Sequence, residues 1–268
     1  MAKPIFGTRS DMRSIFTTNV DRCQSHSERR RQNRSGDAPH RLAQSAGFFL
    51  STFAWLLAGS FFFALTAAAG DVSRGENIAD AAEKLLGDIR ETHYQHKTHV
   101  VPSEGIYDMD CSGFVDYLLK RVAPEQYAYL PIEPGHPSPR AAMYFDFLNG
   151  LPGNPVPGWK SINRLAEAQR GDIIAWALAT STQKPGDTGH VVIVATAPVL
   201  INSGHYGVSV YDSSGIHHDD DTRPETTSGI GKGVITFRVD DRGVPIGFQF
   251  NSLAHFHLEP IAIGRMTN

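Results

Sequence analysis

The chain has 268 residues, of which 41% are hydrophobic, with 25 Lys and Arg against 28 Asp and Glu. A formal net charge of −3 gives no electrostatic case for nucleic acid as a partner, because such partners are held through clustered positive charge. The two cysteines, Cys23 and Cys111, flank a long apolar segment; if that segment is removed or spans a membrane, no structural disulfide can join them.

Residues 1–46 are rich in Arg, Ser, Asn, Gln and Thr and poor in apolar side chains, so a polar leader without a core is expected there. Residues 47–69 carry no charge and follow Arg29, Arg30, Arg31, Arg34 and Arg41. Ala67-Ala68-Ala69 fits a small-residue cleavage site, the pattern of a secretory signal peptide. The leader is longer than an ordinary n-region, which leaves two alternatives open. The true start lies further along the chain, or residues 47–69 stay as a single anchor of about the ~20 residues a span needs. Either way the remainder is expected to be exported, periplasmic or secreted, touching a membrane only through residues 47–69 if they are uncleaved.

Residues 70–268 have globular composition and are long enough for one domain with its own core. Ile78, Ala81, Ala82, Leu85, Leu86 and Ile89 follow helical spacing and predict an amphipathic helix over 75–92. A loop with Pro102 and Gly105 leads to a second helix, which opens at Asp110-Cys111-Ser112-Gly113-Phe114-Val115 and stops before Pro124. Residues 124–160 are punctuated by prolines and predict irregular chain with one helical patch near 141–148. Strand patterns follow at 172–176, 191–195, 208–211, 233–239 and 246–250. Helices first and strands afterwards give an α+β fold with a mainly antiparallel sheet.

Cys111 stands at a helix start, where unpaired N–H groups and the positive end of the helix dipole favour a thiolate. A nucleophilic thiol needs a base, and the base needs an orienting group. His190 lies at the mouth of an apolar strand, after the turn-forming Pro185-Gly186-Asp187-Thr188-Gly189. If Val191–Thr196 pairs with Tyr206–Tyr211, Asp212 arrives on the same sheet edge, able to hold one tautomer of the His190 imidazole.

Three blocks resemble the NlpC-type papain-like cysteine peptidases, mostly bacterial enzymes of cell-wall peptide turnover. They are Asp110-Cys111-Ser112-Gly113-Phe114-Val115, Arg170-Gly171-Asp172-Ile173-Ile174-Ala175-Trp176 and Gly189-His190-Val191-Val192-Ile193-Val194. The resemblance implies a papain-like (NlpC-type) α+β fold with N-terminal helices packed on the sheet. It implies Cys111 as nucleophile, His190 as base, and a third polar residue one strand later, which falls on Asp212. It further implies an oxyanion hole using the nucleophile's backbone N–H, and recognition of a stem peptide's free amine by Asp110, Ser112 and an upstream tyrosine, here Tyr94. Residues 124–160 lengthen the interval between Cys111 and His190, as a cleft wall or as decoration.

Two further runs invite chemistry. His217-His218-Asp219-Asp220-Asp221 has metal-ligand residue types, but adjacent side chains rarely converge on one ion, and a solvated acidic loop is expected. Gly229-Ile230-Gly231-Lys232-Gly233 lacks the Ser or Thr of a phosphate loop and is expected to be a tight turn. The expected function is therefore an exported cysteine hydrolase cleaving amide bonds in peptidoglycan stem peptides or another peptide, through Cys111, His190 and Asp212, with no cofactor and no metal. The alternatives are an amidase, acyltransferase or thioesterase-like enzyme on the same fold, or a non-catalytic cell-wall-binding module. Composition and motifs leave the oligomeric state open.

Overall fold

Residues 74–179 and 187–268 are described in a computed structural model. The leader (1–46) and the apolar segment (47–69) lie outside the described residues, and among the described residues no helix is long and apolar enough to cross a membrane. Helix α1 (Arg74–Asp88) buries Ile78, Ala79, Ala82 and Leu85, one stripe of a 3.6-residue period. It ends earlier than the periodicity predicts. The N–H groups of Arg90 and Glu91 turn to the Gly105 carbonyl at 2.9 and 3.2 Å, and the chain enters a hairpin of β1 (His99–Val101) and β2 (Ile106–Asp108). The expected loop around Pro102 and Gly105 is the tip of that hairpin.

Helix α2 (Cys111–Val122) presents Phe114, Val115, Leu118 and Leu119 to the core. It gives way at Ala123 to the single helical turn α3 (Pro124–Tyr127), as Pro124 requires. The Pro-rich stretch then contributes α4 (Ala141–Gly150), which packs against the sheet. The strands are β3 (Trp159–Ser161), β4 (Ile173–Ala177), β5 (Gly189–Val194), β6 (Val199–Asn202), β7 (His205–Ser214), β8 (Gly229–Val239), β9 (Pro245–Gln249) and β10 (Ile261–Met266). They form one sheet in the order β3-β10-β4-β5-β7-β8-β9, with β6 added on β7, every pairing antiparallel. The fold is thus mixed helix and sheet with a mainly antiparallel open sheet.

The uninterrupted apolar runs of β4 and β5 are explained by burial on both faces. Ile173, Ala175, Val191 and Ile193 face the helices, whereas Ile174, Trp176, Val192 and Val194 enter a second cluster with Phe237 and Phe248. Trp176 on β4 and Phe248 on β9 lie at opposite flanks of three intervening strands, yet their ring centroids are 4.1 Å apart. The sheet therefore curls around this second cluster, as twisted antiparallel sheets do.

The Arg170-Gly171-Asp172 block works as a structural joint. Gly171 has φ +85°, and a Cβ there would stand 1.8 Å from the Gly75 carbonyl oxygen, so only glycine lets α1 meet the sheet. Asp172 is buried and accepts from Arg265 Nε and Nη2, each at 2.8 Å, tying β10 to the start of β4.

Candidate functional site

The site is assembled where β5 and β7 part. Their pairing runs through Val194↔Val210 and Ile193↔Tyr211; beyond Ile193 the strands splay, and the start of α2, which packs on both, meets the opening. Asp110 caps α2: its Oδ1 accepts the Gly113 N–H at 2.7 Å and the Ser112 hydroxyl at 3.0 Å. Ser213, fully buried beside Asp212, donates its hydroxyl to the Met109 carbonyl at 2.6 Å. These bonds lock the turn before α2 to the end of β7 and place Cys111 at the first helical position.

The Cys111 sulfur receives the backbone N–H groups of Val191, the residue after His190, and of its own neighbour Ser112. It is only 3% exposed. Burial pushes the thiol well above its ordinary pKa; Asp110 and Asp212 add to the rise, and the two N–H groups oppose it. Burial of the sulfur thus works against the thiolate that the helix start favours.

His190 Nε2 lies 2.7 Å from Asp212 Oδ2. The expected register placed the two residues directly opposite one another. The observed pairing is shifted by two residues, which keeps them on one face of the sheet and makes the contact diagonal. An ionised carboxylate only accepts, so Nε2 carries the proton and Nδ1 is left as the free base position. The ring is held on its flanks by Trp176 and Phe250, with centroids at 5.1 and 5.6 Å.

Three residues that the sequence did not reveal as part of the site complete it. His218 Nε2 also bonds Asp212 Oδ2, at 2.8 Å. Arg223 Nη2 lies 3.3 Å from Asp212 Oδ1. Arg223 is in turn gripped by Asp221, with Nη2–Oδ2 at 2.6 Å and Nε–Oδ1 at 2.8 Å. Burial alone raises the Asp212 carboxyl, but His218, His190 and Arg223 together hold it well below the usual carboxylate range. The solvated acidic loop expected at 217–221 is therefore a correction: His218 and Asp221 face inward, and Asp220 is the exposed member of the run. The tight turn expected at Gly229–Gly233 is likewise strand β8, paired residue by residue with β7. Its glycines make room for the added side chains. A Cβ on Gly231 would stand 2.6 Å from Arg223 Nε, and one on Gly233 would stand 2.7 Å from the His218 Cβ. Small residues on one arm of the hairpin facing bulky polar ones on the loop were the available signal.

His190, Asp212 and His218 present ligand atoms within 4.8 Å of one another, the residue types of a metal site. The geometry fits hydrogen bonds better. Ligand atoms 2.0–2.1 Å from a tetrahedral ion stand about 3.3 Å apart, and both Nε2–Oδ2 distances here are shorter. The Arg223 guanidinium already supplies the positive charge that Asp212 needs.

Tyr94 and Asp110 line a narrow slot over Cys111, together with Arg140, Asp187 and Gly189, with room for about 10 Å³. That is the size of a single oxygen atom group rather than a side chain. Burial, then Cys111 and Asp110, raise the Tyr94 phenol, so it remains a hydrogen-bond donor. Ser112 lines the same slot, but its hydroxyl is spent on Asp110. Arg140 and Ala141 bring the Pro-rich segment to the slot as a wall, anchored where the Ala142 N–H meets Thr188 Oγ1 at 3.3 Å. Compared with models of known protein families, with curated proteins and with solved structures, the chain finds no match in any of the three.

Proposed function

We propose that the chain is an exported cysteine hydrolase of papain-like α+β architecture that cleaves amide bonds in peptides, stem peptides of the cell wall being the substrate its motifs imply. The observation that carries this reading is the His190–Asp212 hydrogen bond of 2.7 Å beside a buried cysteine that starts a helix and touches the residue next to His190. Export rests on the apolar segment 47–69 and on the resemblance of the three motifs.

In this mechanism His190 Nδ1 takes the Cys111 proton as the sulfur attacks the amide carbonyl carbon. With burial raising the thiol, proton transfer accompanies attack instead of preceding it. The carbonyl oxygen becomes an oxyanion in the slot, facing the backbone N–H of Cys111, one of the donors that a helix start leaves unpaired. His190 then gives its proton to the nitrogen of the departing amine, and the C–N bond breaks to leave a thioester. A water deprotonated by His190 attacks that thioester and releases the acid, and the sulfur recovers its proton. Asp212 keeps Nε2 protonated throughout and stabilises the imidazolium form.

Digestion of purified cell wall and of defined muropeptides, followed by mass analysis of the fragments, tests the proposal. Cys111→Ala and His190→Ala proteins should release no fragments while melting as folded proteins. Hydrolysis unchanged in the Cys111→Ala protein overturns it.

A further inference from the structure

Beside the slot lies a cavity of about 340 Å³, within the range of sites that hold small ligands or single large side chains. Trp176, Phe248, Phe250, Ile216 and Leu178 are among the residues that line it. Trp176 and Phe248 are fixed members of the lining, each 1% exposed and packed into the second core cluster. Of the lining residues, Ile216 is 46% exposed.

The cavity and the slot are neighbours with part of their lining in common. Tyr94, Asp187 and Gly189 line both, whereas Cys111 lines the slot and His190 the cavity. The proton donor to a departing amine thus stands in the cavity wall, so the cavity lies on the leaving-group side of the bond under attack. Asp187, on the shared wall, matches the positive charge of the amine that is released. We propose that this cavity is a subsite for a large apolar side chain, aromatic or long aliphatic, carried by the residue on the leaving-group side of the cleaved bond. The inference rests on the cysteine-hydrolase reading but replaces its stem-peptide substrate, built of small and charged residues, with peptides that carry such a residue.

Two measurements on the full chain separate the cavity from the chemistry. In the first, L-phenylalaninamide, L-leucinamide and L-alaninamide, mimics of the released amine, are titrated into the Cys111→Ala protein by calorimetry or saturation-transfer NMR. The phenylalanine and leucine amides should bind at least about tenfold more tightly than the alanine amide, as a pocket that recognises added methylenes does. Ile216→Glu, a change at a side chain 46% exposed, should erase most of that difference. Equal binding of the three amides, or a preference untouched by Ile216→Glu, overturns the subsite. In the second, quenched-fluorescent peptides differing only in the residue after the cleaved bond are given to the unmodified protein. Phe or Leu there should raise kcat/KM at least about tenfold over Ala. Turnover without that preference removes the subsite and leaves the hydrolase reading standing. Selective amide binding with no turnover of any peptide or muropeptide keeps the apolar site and removes the hydrolase reading.

Discussion

His218 Nε2 stands 2.8 Å from Asp212 Oδ2, the same oxygen that His190 Nε2 reaches from the other side at 2.7 Å. Two imidazoles thus share one carboxylate oxygen, with His218 buried behind it and His190 at the edge of the cleft. His218 touches neither the slot nor the sulfur, so its role is to position Asp212.

His218→Ala should therefore lower kcat by about 10- to 100-fold, the cost of one buried hydrogen bond of about 1–3 kcal/mol transmitted to the base. KM should change less than kcat, because His218 lines neither slot nor cavity and reaches the cavity only through its stack on Phe250. His218→Gln, whose amide nitrogen can reach the position of Nε2, should restore most of the loss. Steady-state kinetics of the three proteins decide it; equal kcat values remove the positioning role.

Arg223 is buried with its charge met by Asp221 and Asp212, and it also donates to the Gly229 carbonyl at 2.9 Å. Removing one partner of a buried charged network strands the others, at a cost of about 3–5 kcal/mol. Arg223→Ala should lower the free energy of unfolding by that amount, and the midpoint with it, and Gly231→Val, which crowds the same guanidinium, should act in the same direction. Denaturant titration provides the check, and an Arg223→Ala protein as stable as the parent contradicts the network.

The raised Cys111 thiol predicts a distinctive reactivity. Alkylation by iodoacetamide should be slow at pH 6 and keep climbing past the pH at which an ordinary thiol levels off, because only the thiolate reacts. A rate already at its plateau near neutrality indicates a preformed thiolate–imidazolium pair and sinks the coupled transfer proposed here.

Asp116 lies on α2 beneath the Pro-rich segment and accepts the Tyr144 hydroxyl at 2.7 Å. Burial raises its carboxyl to about 6, with the Tyr144 hydroxyl opposing. A carboxyl whose folded pKa exceeds its unfolded value stabilises the fold below the unfolded pKa and loses that contribution as pH rises through the folded one. Between about pH 4 and 6 the protein should thus lose on the order of 1–3 kcal/mol from this group. Asp116→Asn, which still accepts from Tyr144, should flatten that part of the profile. Melting curves across the range measure it, and a wild-type slope that survives the substitution places the titration elsewhere.

Much of the fold is written in local pattern. The stripe on α1, the cap at Asp110 and the apolar runs of β4 and β5 each depend on neighbours a few residues away, and their chemistry is visible in the chain. The short elements β1, β2, β3, β6 and β10 are not, because strands of three to six residues gain their stability from the partner across the ladder. Boundaries drift for the same reason: α1 yields its last turn to the Gly105 carbonyl, a bond between segments.

By itself the chain identified a cysteine at a helix start, a histidine at a strand mouth and an acid one strand later, since each is recognisable from its immediate surroundings. Tertiary structure decided the rest. His218, Asp221 and Arg223 become support for Asp212 only because a hairpin folds its loop back over glycines that leave space for them. Burial of Cys111, which sums atoms from distant parts of the chain, raises its thiol against the pull of the local helix terminus.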